Sequence, residues 1–289
     1  MTVVERNRPG YPALLEAIAD PPQRLYVRGR IPELPMLAIV GSRRATPYGE
    51  RVARRLAAGL AETGIAIVSG LARGIDSAAH RGALEAGGAT IAVLATGLDR
   101  IYPPENLSLA DEIVEHGALL TEMPEQTIPL PGRFPIRNRL ISGLSHGVIV
   151  VEAAERSGAL ITARMALEQG REVLAVPGSV DNPLTVGTHR LLKDGAILVH
   201  TVEDVLEEFP GLVRAPARTR AHARTRVGPQ EPELIAVWEL LDWVEPRHHD
   251  DLATQLKLDV QEVSRRLTLL EMGNYIIGDC GGVVRRPAE

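Results

Sequence analysis

Short apolar segments alternate with helix-like segments along residues 35–208, and this alternation restricts the chain to a small set of folds. Most of the apolar runs are continuous, a pattern typical of strands that are covered on both faces in a parallel sheet. The predicted strands are 36–41, 65–69, 90–95, 118–122, 147–152, 172–176 and 196–199. The predicted helices are 47–62, 75–86, 105–116, 136–144, 159–169 and 185–193. This order predicts a doubly wound α/β domain with a mostly parallel sheet and helices on both faces.

The α/β pattern accounts for one large domain, predicted at residues 35–209, and leaves sequence on both sides. We expect residues 1–34 to form an N-terminal extension that packs on the main domain. Residues 210–230 contain three prolines and five arginines but no acidic residue, which predicts an exposed linker kept extended by arginine repulsion. A contact between these arginines and nucleic acid is an alternative role for the segment.

Residues 231–289 have the outline of a winged helix, in which three helices precede a β-hairpin. The apolar positions of the first helix are Val237, Leu240, Leu241 and Val244, and a short second helix covers 250–256. Asp259 and Glu262 resemble a capping box that opens the third helix. The apolar face of that helix is Val260, Val263, Leu267 and Leu270; the hairpin is Tyr275-Ile276-Ile277, Gly281-Gly282 and Val283-Val284. Arg265 and Arg266 occupy the third helix, either as duplex contacts or as a solvated face.

Charge and cysteine content exclude several classes of function. The formal net charge is −5, so any nucleic-acid site must be a local cluster of basic residues. A single cysteine, Cys280, allows no internal disulfide and no Cys-based zinc site, which fits a cytoplasmic protein. The eight histidines show no metal-ligand spacing. No apolar run approaches the roughly 20 residues that span a bilayer, and the N-terminus lacks the apolar stretch of a signal peptide.

Glycine-bearing loops follow the first two predicted strands, and both lead into helices. Glycine permits close backbone approach, and a helix start offers free N–H groups to an anion. An arginine in the first loop can grip a phosphate with two hydrogen bonds. Asp76 can cap its helix or orient a neighbouring loop. The candidate ligand-binding residues in the two loops are Gly41, Ser42, Arg43, Ser69, Gly70, Arg73 and Gly74.

The usual nucleotide-cofactor signatures do not occur in this sequence. Neither loop reads G-x-G-x-x-G, and there is no G-x-x-x-x-G-K-[ST]. This counts against a dehydrogenase or an ATPase, and we expect no cofactor, no metal and no catalytic residue.

A basic and aromatic cluster occupies a loop-like stretch after the fourth predicted strand. Its candidate DNA-binding residues are Arg133, Phe134, Arg137, Asn138 and Arg139. Cations along a backbone track, together with an aromatic platform for base stacking, are what binding of a single strand requires. The alternative is that Phe134 is a hydrophobic plug beneath its own loop.

The ordered set of these motifs resembles the DNA-processing protein A (DprA/Smf) family over roughly residues 10–205. The matching segments are Gly41–Arg43, Ser69–Asp76, Phe134–Arg139, Val151–Ala153 with Ser157-Gly158, and Ala175–Ser179. The resemblance implies a Rossmann-like domain that binds single-stranded DNA, with Arg43, Arg133 and Phe134 as contacts. Many members carry a helical SAM-like domain ahead of this unit, which residues 1–34 are too short to contain.

The resemblance further implies a role in natural transformation, in which the protein protects incoming strands and helps to load the RecA recombinase. It also implies a homodimer built on the Rossmann-like domain. Two alternatives remain open. One is a nucleotide-processing enzyme of the phosphoribohydrolase type, whose P-G-G-x-G-T-x-x-E loop is not matched by residues 155–162. The other is a nucleotide-sensing regulator that reads duplex DNA through the winged helix.

Overall fold

A computed structural model of the chain describes residues 1–212, 229, 231–241, 247–273, 275–279 and 282–285. The chain divides into two compact units, Met1–Ala217 and Arg218–Glu289. Most of the predicted linker, 213–228 and 230, lies outside the described residues, as does Val244 of the second unit.

Within residues 1–212, nine strands form one sheet in the order β1-β2-β6-β5-β4-β3-β7-β8-β9. The strands β3 to β9 pair in parallel, whereas β2 pairs antiparallel with both β1 and β6. The mostly parallel sheet predicted from the sequence is therefore confirmed. The strands are β1 (Thr2–Glu5), β2 (Arg24–Gly29), β3 (Met36–Val40), β4 (Ala66–Ser69), β5 (Thr90–Val93), β6 (Ala118–Thr121), β7 (Gly147–Val150), β8 (Glu172–Ala175) and β9 (Ile197–Leu198).

Helices cover both faces of this sheet, and each face has its own buried apolar cluster. One cluster includes Leu25, Leu140 and Val148, and the other includes Leu37, Leu56 and Ile67. The helices are α1 (Ala13–Glu16), α2 (Pro47–Glu62), α3 (Ile75–Glu85), α4 (Leu107–His116), α5 (Arg133–Gly143), α6 (Gly158–Glu168), α7 (Val186–Lys193) and α8 (Val202–Glu208), with a 3-10 turn at Pro104–Asn106.

Two features of the first unit were not predicted from the sequence. Residues 1–34 supply β1 and β2, so the N-terminal segment lengthens the sheet itself. The alternating burial of β2 is typical of an antiparallel strand with one covered face, and it gives no continuous apolar run. In addition, α5 begins at Arg133 rather than 136, because the turn at Pro131-Gly132 leads directly into the helix. Phe134 therefore lies in the first turn of a helix, not in a loop.

The second unit contains three helices and a two-stranded hairpin among its described residues. These are α9 (Pro232–Glu239), α10 (His249–Leu256), α11 (Val260–Met272), β10 (Ile276–Asp279) and β11 (Gly282–Arg285). The core joins all three helices to the hairpin through Val237, Leu252, Val263, Leu267, Leu270, Ile276 and Val283. The predicted winged-helix outline is confirmed.

Two details of α11 were wrong in the sequence prediction. Val260 is 43% exposed and lies outside the core. Asp259 caps the helix by accepting a hydrogen bond from the Gln261 amide, but the capping box is not formed. The reason is that the carboxylate of Glu262 is bound by Arg265 and Arg266 instead of the Asp259 amide.

Within the described residues, no helix is both long and apolar enough to cross a bilayer. The same residues contain no group of three or more His, Cys, Asp or Glu side chains arranged to hold a metal ion.

Candidate nucleic-acid interface

The strand order reverses beside β3, because β4 and β5 lie on one side of it and β7 and β8 on the other. In an open α/β sheet, ligands bind at such a switch point, outside the carboxyl ends of the strands. The end of β4, the loops that follow β3 and β4, and the first two turns of α5 carry the candidate residues predicted from the sequence. We call this side of the sheet the carboxyl edge.

The loop after β3 is tied to the end of β7 by a buried carboxylate. Glu152 accepts a hydrogen bond from the Thr46 amide at 2.9 Å and another from the Thr46 hydroxyl at 2.6 Å. Thr46 in turn caps α2 by accepting from the Gly49 amide at 3.1 Å. Ser42 is buried, and its hydroxyl accepts from the Arg44 amide at 3.1 Å. Glu152 is thus committed to fixing this loop, which leaves the Arg43 side chain exposed at its tip.

The loop after β4 is fixed from within by Asp76. Its carboxylate accepts hydrogen bonds from the Gly70 amide at 3.1 Å and the Ala72 amide at 3.3 Å. No side chain caps the start of α3 at Gly74, so Asp76 orients the loop and does not cap its own helix. Burial raises the pKa of Asp76 above its ordinary value, against the opposing influence of Arg137 and of the two amide donors.

Arg137 lies beneath this loop instead of facing solvent. It is only 4% exposed, and its Nη1 donates to the carbonyl oxygens of Gly70, at 2.8 Å, and of Val93. Desolvation lowers the pKa of Arg137 to about 10, while Asp76 acts in the opposite sense, so the guanidinium stays protonated at neutral pH. The sequence predicted that Arg137 contacts DNA, but in this conformation its guanidinium is buried and cannot reach a phosphate.

The glycines of the two loops serve internal packing. A Cβ atom at Gly70 would lie 2.5 Å from Nη1 of Arg137, so only glycine admits the buried guanidinium there. Gly74 has a positive φ of 68°, and a Cβ atom there would lie 2.4 Å from the Ser42 carbonyl oxygen. Ser69 is also buried, where its hydroxyl donates to the Ile39 carbonyl at 2.6 Å. These residues hold the loops together, whereas the sequence suggested that glycine allows a ligand to approach.

Asn138 and Arg139 also make contacts within the protein. Arg139 forms an ion pair of 2.5 Å with Glu122 and another of 3.3 Å with Asp20, and its side chain is 15% exposed. Asn138 is buried and donates to the Gly158 carbonyl at 3.3 Å. Both residues therefore anchor α5 to its neighbours.

Phe134 lies at the centre of an exposed cluster, which we call the aromatic cluster (Arg43, Tyr102 and Phe134). The Cζ atom of Arg43 lies 5.0 Å from the centroid of the Phe134 ring, in cation–π geometry. The Tyr102 ring is tilted by 53° to Phe134, with centroids 5.8 Å apart. Tyr102 is 39% exposed and Phe134 is half-buried. The cluster joins three separate segments of the chain at the carboxyl edge.

Two more candidate arginines flank the aromatic cluster. Arg133 is half-buried and donates from Nη1 to the Ile128 carbonyl at 2.6 Å. Arg73 is exposed and forms an ion pair with Glu105. A hydrogen bond to Glu105 raises the pKa of Arg73, so the guanidinium is charged under all ordinary conditions.

Tyr102 is the residue that the sequence interpretation missed. It follows β5 in the loop that ends at Pro103-Pro104, so it occupies the same edge as the two glycine-bearing loops. Aromatic residues make up only 3% of the chain, and a tyrosine in the loop that follows a buried parallel strand was a usable signal. Because every loop that follows a parallel strand lies at the carboxyl edge, the loop after β5 could have been searched for aromatic residues in the same way as the two glycine-bearing loops.

Comparisons with known proteins agree with this fold. The family model for DNA recombination-mediator protein A matches residues 2–210, and that for the DprA winged helix domain matches residues 219–281. Protein Smf of Escherichia coli K12 is 46% identical over 283 residues, which are 95% of this chain and 75% of that protein. DNA processing protein DprA of Bacillus subtilis is 48% identical over 203 residues, which are 69% of this chain and 68% of the relative.

Two solved structures of DNA processing protein A are also similar. The protein from Streptococcus pneumoniae is 44% identical with a TM-score of 0.69, covering 72% of this chain and 74% of that chain. The protein from Helicobacter pylori, whose structure concerns a single-stranded DNA binding mode, is 32% identical with a TM-score of 0.64, covering 72% and 95%. By its family match and by the identity and coverage of its relatives, the chain belongs to the DNA recombination-mediator protein A family.

Proposed function

We propose that this chain binds single-stranded DNA at the carboxyl edge, with bases stacked on the aromatic cluster and phosphates held by the arginines around it. The observation that carries the proposal is the position of Arg43 over the Phe134 ring, 5.0 Å from its centroid, beside the exposed Tyr102. An aromatic ring next to fixed cations suits a strand whose base faces are free, and stacking of this kind tolerates any sequence. The single-strand binding described for the Helicobacter pylori relative supports the same conclusion.

The ion pairs of α11 in the second unit favour single-strand binding over sequence-specific recognition of duplex DNA. Both arginines of α11 are bound by acidic residues: Arg265 lies 2.8 Å from Glu262 and 3.3 Å from Glu233, and Arg266 lies 2.8 Å from Glu262. A recognition helix reads bases with arginines that are free to form two hydrogen bonds to a base edge. Here those hydrogen bonds are already made within the unit.

The binding claim is tested by titrating the full chain with matched labelled oligonucleotides, one single-stranded and one duplex, at the same salt concentration. We expect the single strand to bind at least tenfold more tightly. Truncation after Phe209 should retain most of that affinity, because the aromatic cluster lies wholly in the first unit. Preferential binding of the duplex, or retention of the affinity by residues 231–289 alone, would contradict the proposal.

The same site suits a cytoplasmic role in natural transformation, in which the protein protects incoming strands and helps to load the RecA recombinase. Family membership supports this part of the proposal. The test is RecA filament formation on strands already covered by a single-strand-binding protein, followed with the chain present or absent. We expect faster filament growth with the wild-type chain than with Phe134→Ala. Equal rates with and without the wild-type chain would remove the loading role.

We also infer a homodimer formed through the first unit. The strand β9 is the last of the sheet, and among the described residues no strand pairs with its outer side. Leu198 of β9 is 51% exposed and Leu167 of α6 is 61% exposed, so both are available to a second copy of the chain. Light scattering at tens of micromolar should give twice the mass of 31.2 kDa, and Leu167→Asp with Leu198→Asp should give the single mass. A wild-type chain that is monomeric at that concentration would rule out the dimer.

A further inference from the structure

Four arginines line an open cleft between α2 and α3, with a volume of about 380 Å³. Arg51 and Arg54 extend from α2, while Arg73 and Arg81 belong to the opposite wall at the start of α3 and along it. Glu50 is the acidic residue of the lining. We call this feature the arginine cleft.

The four arginines differ in whether they are already paired. Arg54 forms an ion pair with Glu85 at 2.5 Å, and Arg73 pairs with Glu105. Arg51 and Arg81 are exposed, and neither forms an ion pair or a side-chain hydrogen bond with another residue that the structure describes. Because Glu50 is the one acidic residue among the described residues of the lining, these two guanidinium groups leave the cleft with an excess of positive charge.

The arginine cleft continues from the site proposed above. α2 begins directly after the loop that carries Arg43, and α3 begins directly after the loop that carries Arg73. Gly74 belongs to the cleft lining, and it packs against the Ser42 carbonyl oxygen and the Arg43 backbone. The arginine cleft therefore adjoins the loop that carries Arg43, and Arg73 belongs both to its lining and to the surroundings of the aromatic cluster.

The lining also indicates which part of a strand the cleft would take. Among its residues there is no aromatic side chain, so the cleft has no aromatic platform for base stacking of the kind that Phe134 and Tyr102 offer. Guanidinium groups form two parallel hydrogen bonds with phosphate oxygens and stay charged at any ordinary pH. The chemistry of the cleft therefore favours phosphate recognition.

We propose that the arginine cleft is a second segment of the DNA site, which binds backbone phosphates of the strand beyond the bases stacked on the aromatic cluster. Arg51 and Arg81 are its principal contacts. The inference rests on the proposed single-strand function and assigns different contacts to its two segments. The aromatic cluster stacks bases, and the arginine cleft binds phosphates irrespective of the base.

The test uses the full chain and oligothymidylates of about 5 and about 15 nucleotides, lengths within the usual range of single-strand sites. Arg81→Glu and the double variant Arg51→Ala/Arg81→Ala are compared with Arg30→Glu. Arg30 is exposed and adjoins Gly117 before β6, at the opposite edge of the sheet, so it matches the charge change of Arg81→Glu without touching the cleft. We expect the cleft variants to weaken binding of the longer strand several-fold and to leave the shorter strand and the control nearly unchanged.

Two further readouts separate phosphate recognition from a general charge effect. The double variant should flatten the slope of log affinity against log salt by about 1.4 for the longer strand, since each phosphate contact contributes about 0.7. Two further oligonucleotides keep all their phosphates but lack the bases of one terminal third, in one case at the 5′ end and in the other at the 3′ end. We expect the wild type to bind at least one of these two oligonucleotides as tightly as it binds the intact strand. A large loss of affinity for both of these oligonucleotides would show that the second segment needs bases, and would overturn the proposal.

The remaining outcomes are also decisive. If Phe134→Ala weakens the longer strand while Arg81→Glu behaves like Arg30→Glu, the proposed function stands and the arginine cleft is not part of the site. If the wild type binds neither oligonucleotide, the proposed function itself fails. A calorimetric titration with ATP covers the other source of phosphate groups. Saturable ATP binding that Arg81→Glu abolishes, with unchanged strand affinity, would assign the cleft to a free nucleotide and overturn the proposal.

Discussion

The carboxyl edge of the sheet and the third helix of the second unit both present arginines, yet the two regions differ in what those arginines contact. At the carboxyl edge, Arg43 stacks on Phe134 and Arg137 supports the loops from below. On α11, Arg265 and Arg266 are bound by Glu262 and Glu233. The comparison teaches that the presence of arginine is a weak indicator of a DNA site, because the existing partners of the guanidinium decide whether it can bind phosphate.

The largest expected effect comes from removing the buried cation on which the carboxyl edge depends. Arg137→Ala leaves the Gly70 and Val93 carbonyl oxygens without their donor and Asp76 without its compensating charge. Loss of one partner from such a buried arrangement costs about 3–5 kcal/mol of unfolding free energy. We expect a loss of that size in urea unfolding of the first unit, followed by far-ultraviolet circular dichroism.

The control for this experiment lies in the second region. Both tryptophans of the chain, Trp238 and Trp243, belong to the second unit, so their fluorescence reports that unit alone. Arg137→Ala should leave the fluorescence transition unchanged, and Arg265→Ala should leave the first unit unchanged. A stability of Arg137→Ala equal to that of the wild type would mean that the loops are held by other contacts.

The second prediction compares the effect on single-strand binding of removing one exposed arginine from each region. Arg43→Ala should weaken single-strand binding and flatten the salt slope by about 0.7, the contribution of one phosphate on a single strand. Arg265→Ala should leave both affinity and slope unchanged, because its guanidinium is already paired. The measurement is fluorescence anisotropy at four or more salt concentrations. The reverse ranking of the two variants would contradict the comparison.

The smallest expected effect concerns Glu262, which holds both arginines of α11. Hydrogen bonds from Arg265 and then Arg266 lower the pKa of Glu262 from 4.5 to about 2. Since the folded-state pKa is depressed, the stabilisation is present above the unfolded value of 4.5 and disappears as the pH falls through about 2. The stability difference between the wild type and Glu262→Gln should therefore be constant above pH 5 and shrink as the pH approaches 2. A difference independent of pH would remove the ion pairs as its cause.

The α/β alternation was sufficient to predict the seven parallel strands and the helices between them, because buried parallel strands are continuous apolar runs. β1 and β2 could not be predicted in the same way, since an antiparallel edge of the sheet needs only one apolar face. The start of α5 was misplaced for a local reason: two prolines around Phe134 suggest a loop, although proline is well tolerated in the first turn of a helix.

The candidate site was only partly readable from the sequence. Its loops were located, because glycine and arginine after a buried strand mark the carboxyl edge. The sequence does not state burial, however, and Arg137 and Arg139 have the same residue type as Arg43 but face inward. Tyr102 was missed because its contact with Phe134 joins segments that are distant along the chain.

Replacement of Phe134 tests the central claim most directly, because a stacking platform and a hydrophobic plug predict opposite results. With Phe134→Ala, we expect a loss of about 1–3 kcal/mol in single-strand binding and a melting temperature close to that of the wild type. Phe134→Trp should keep both properties, since the stacking surface is retained. A plug would instead cost roughly 3–5 kcal/mol of stability on truncation. A large fall in melting temperature, with normal affinity in the protein that remains folded, would contradict the account.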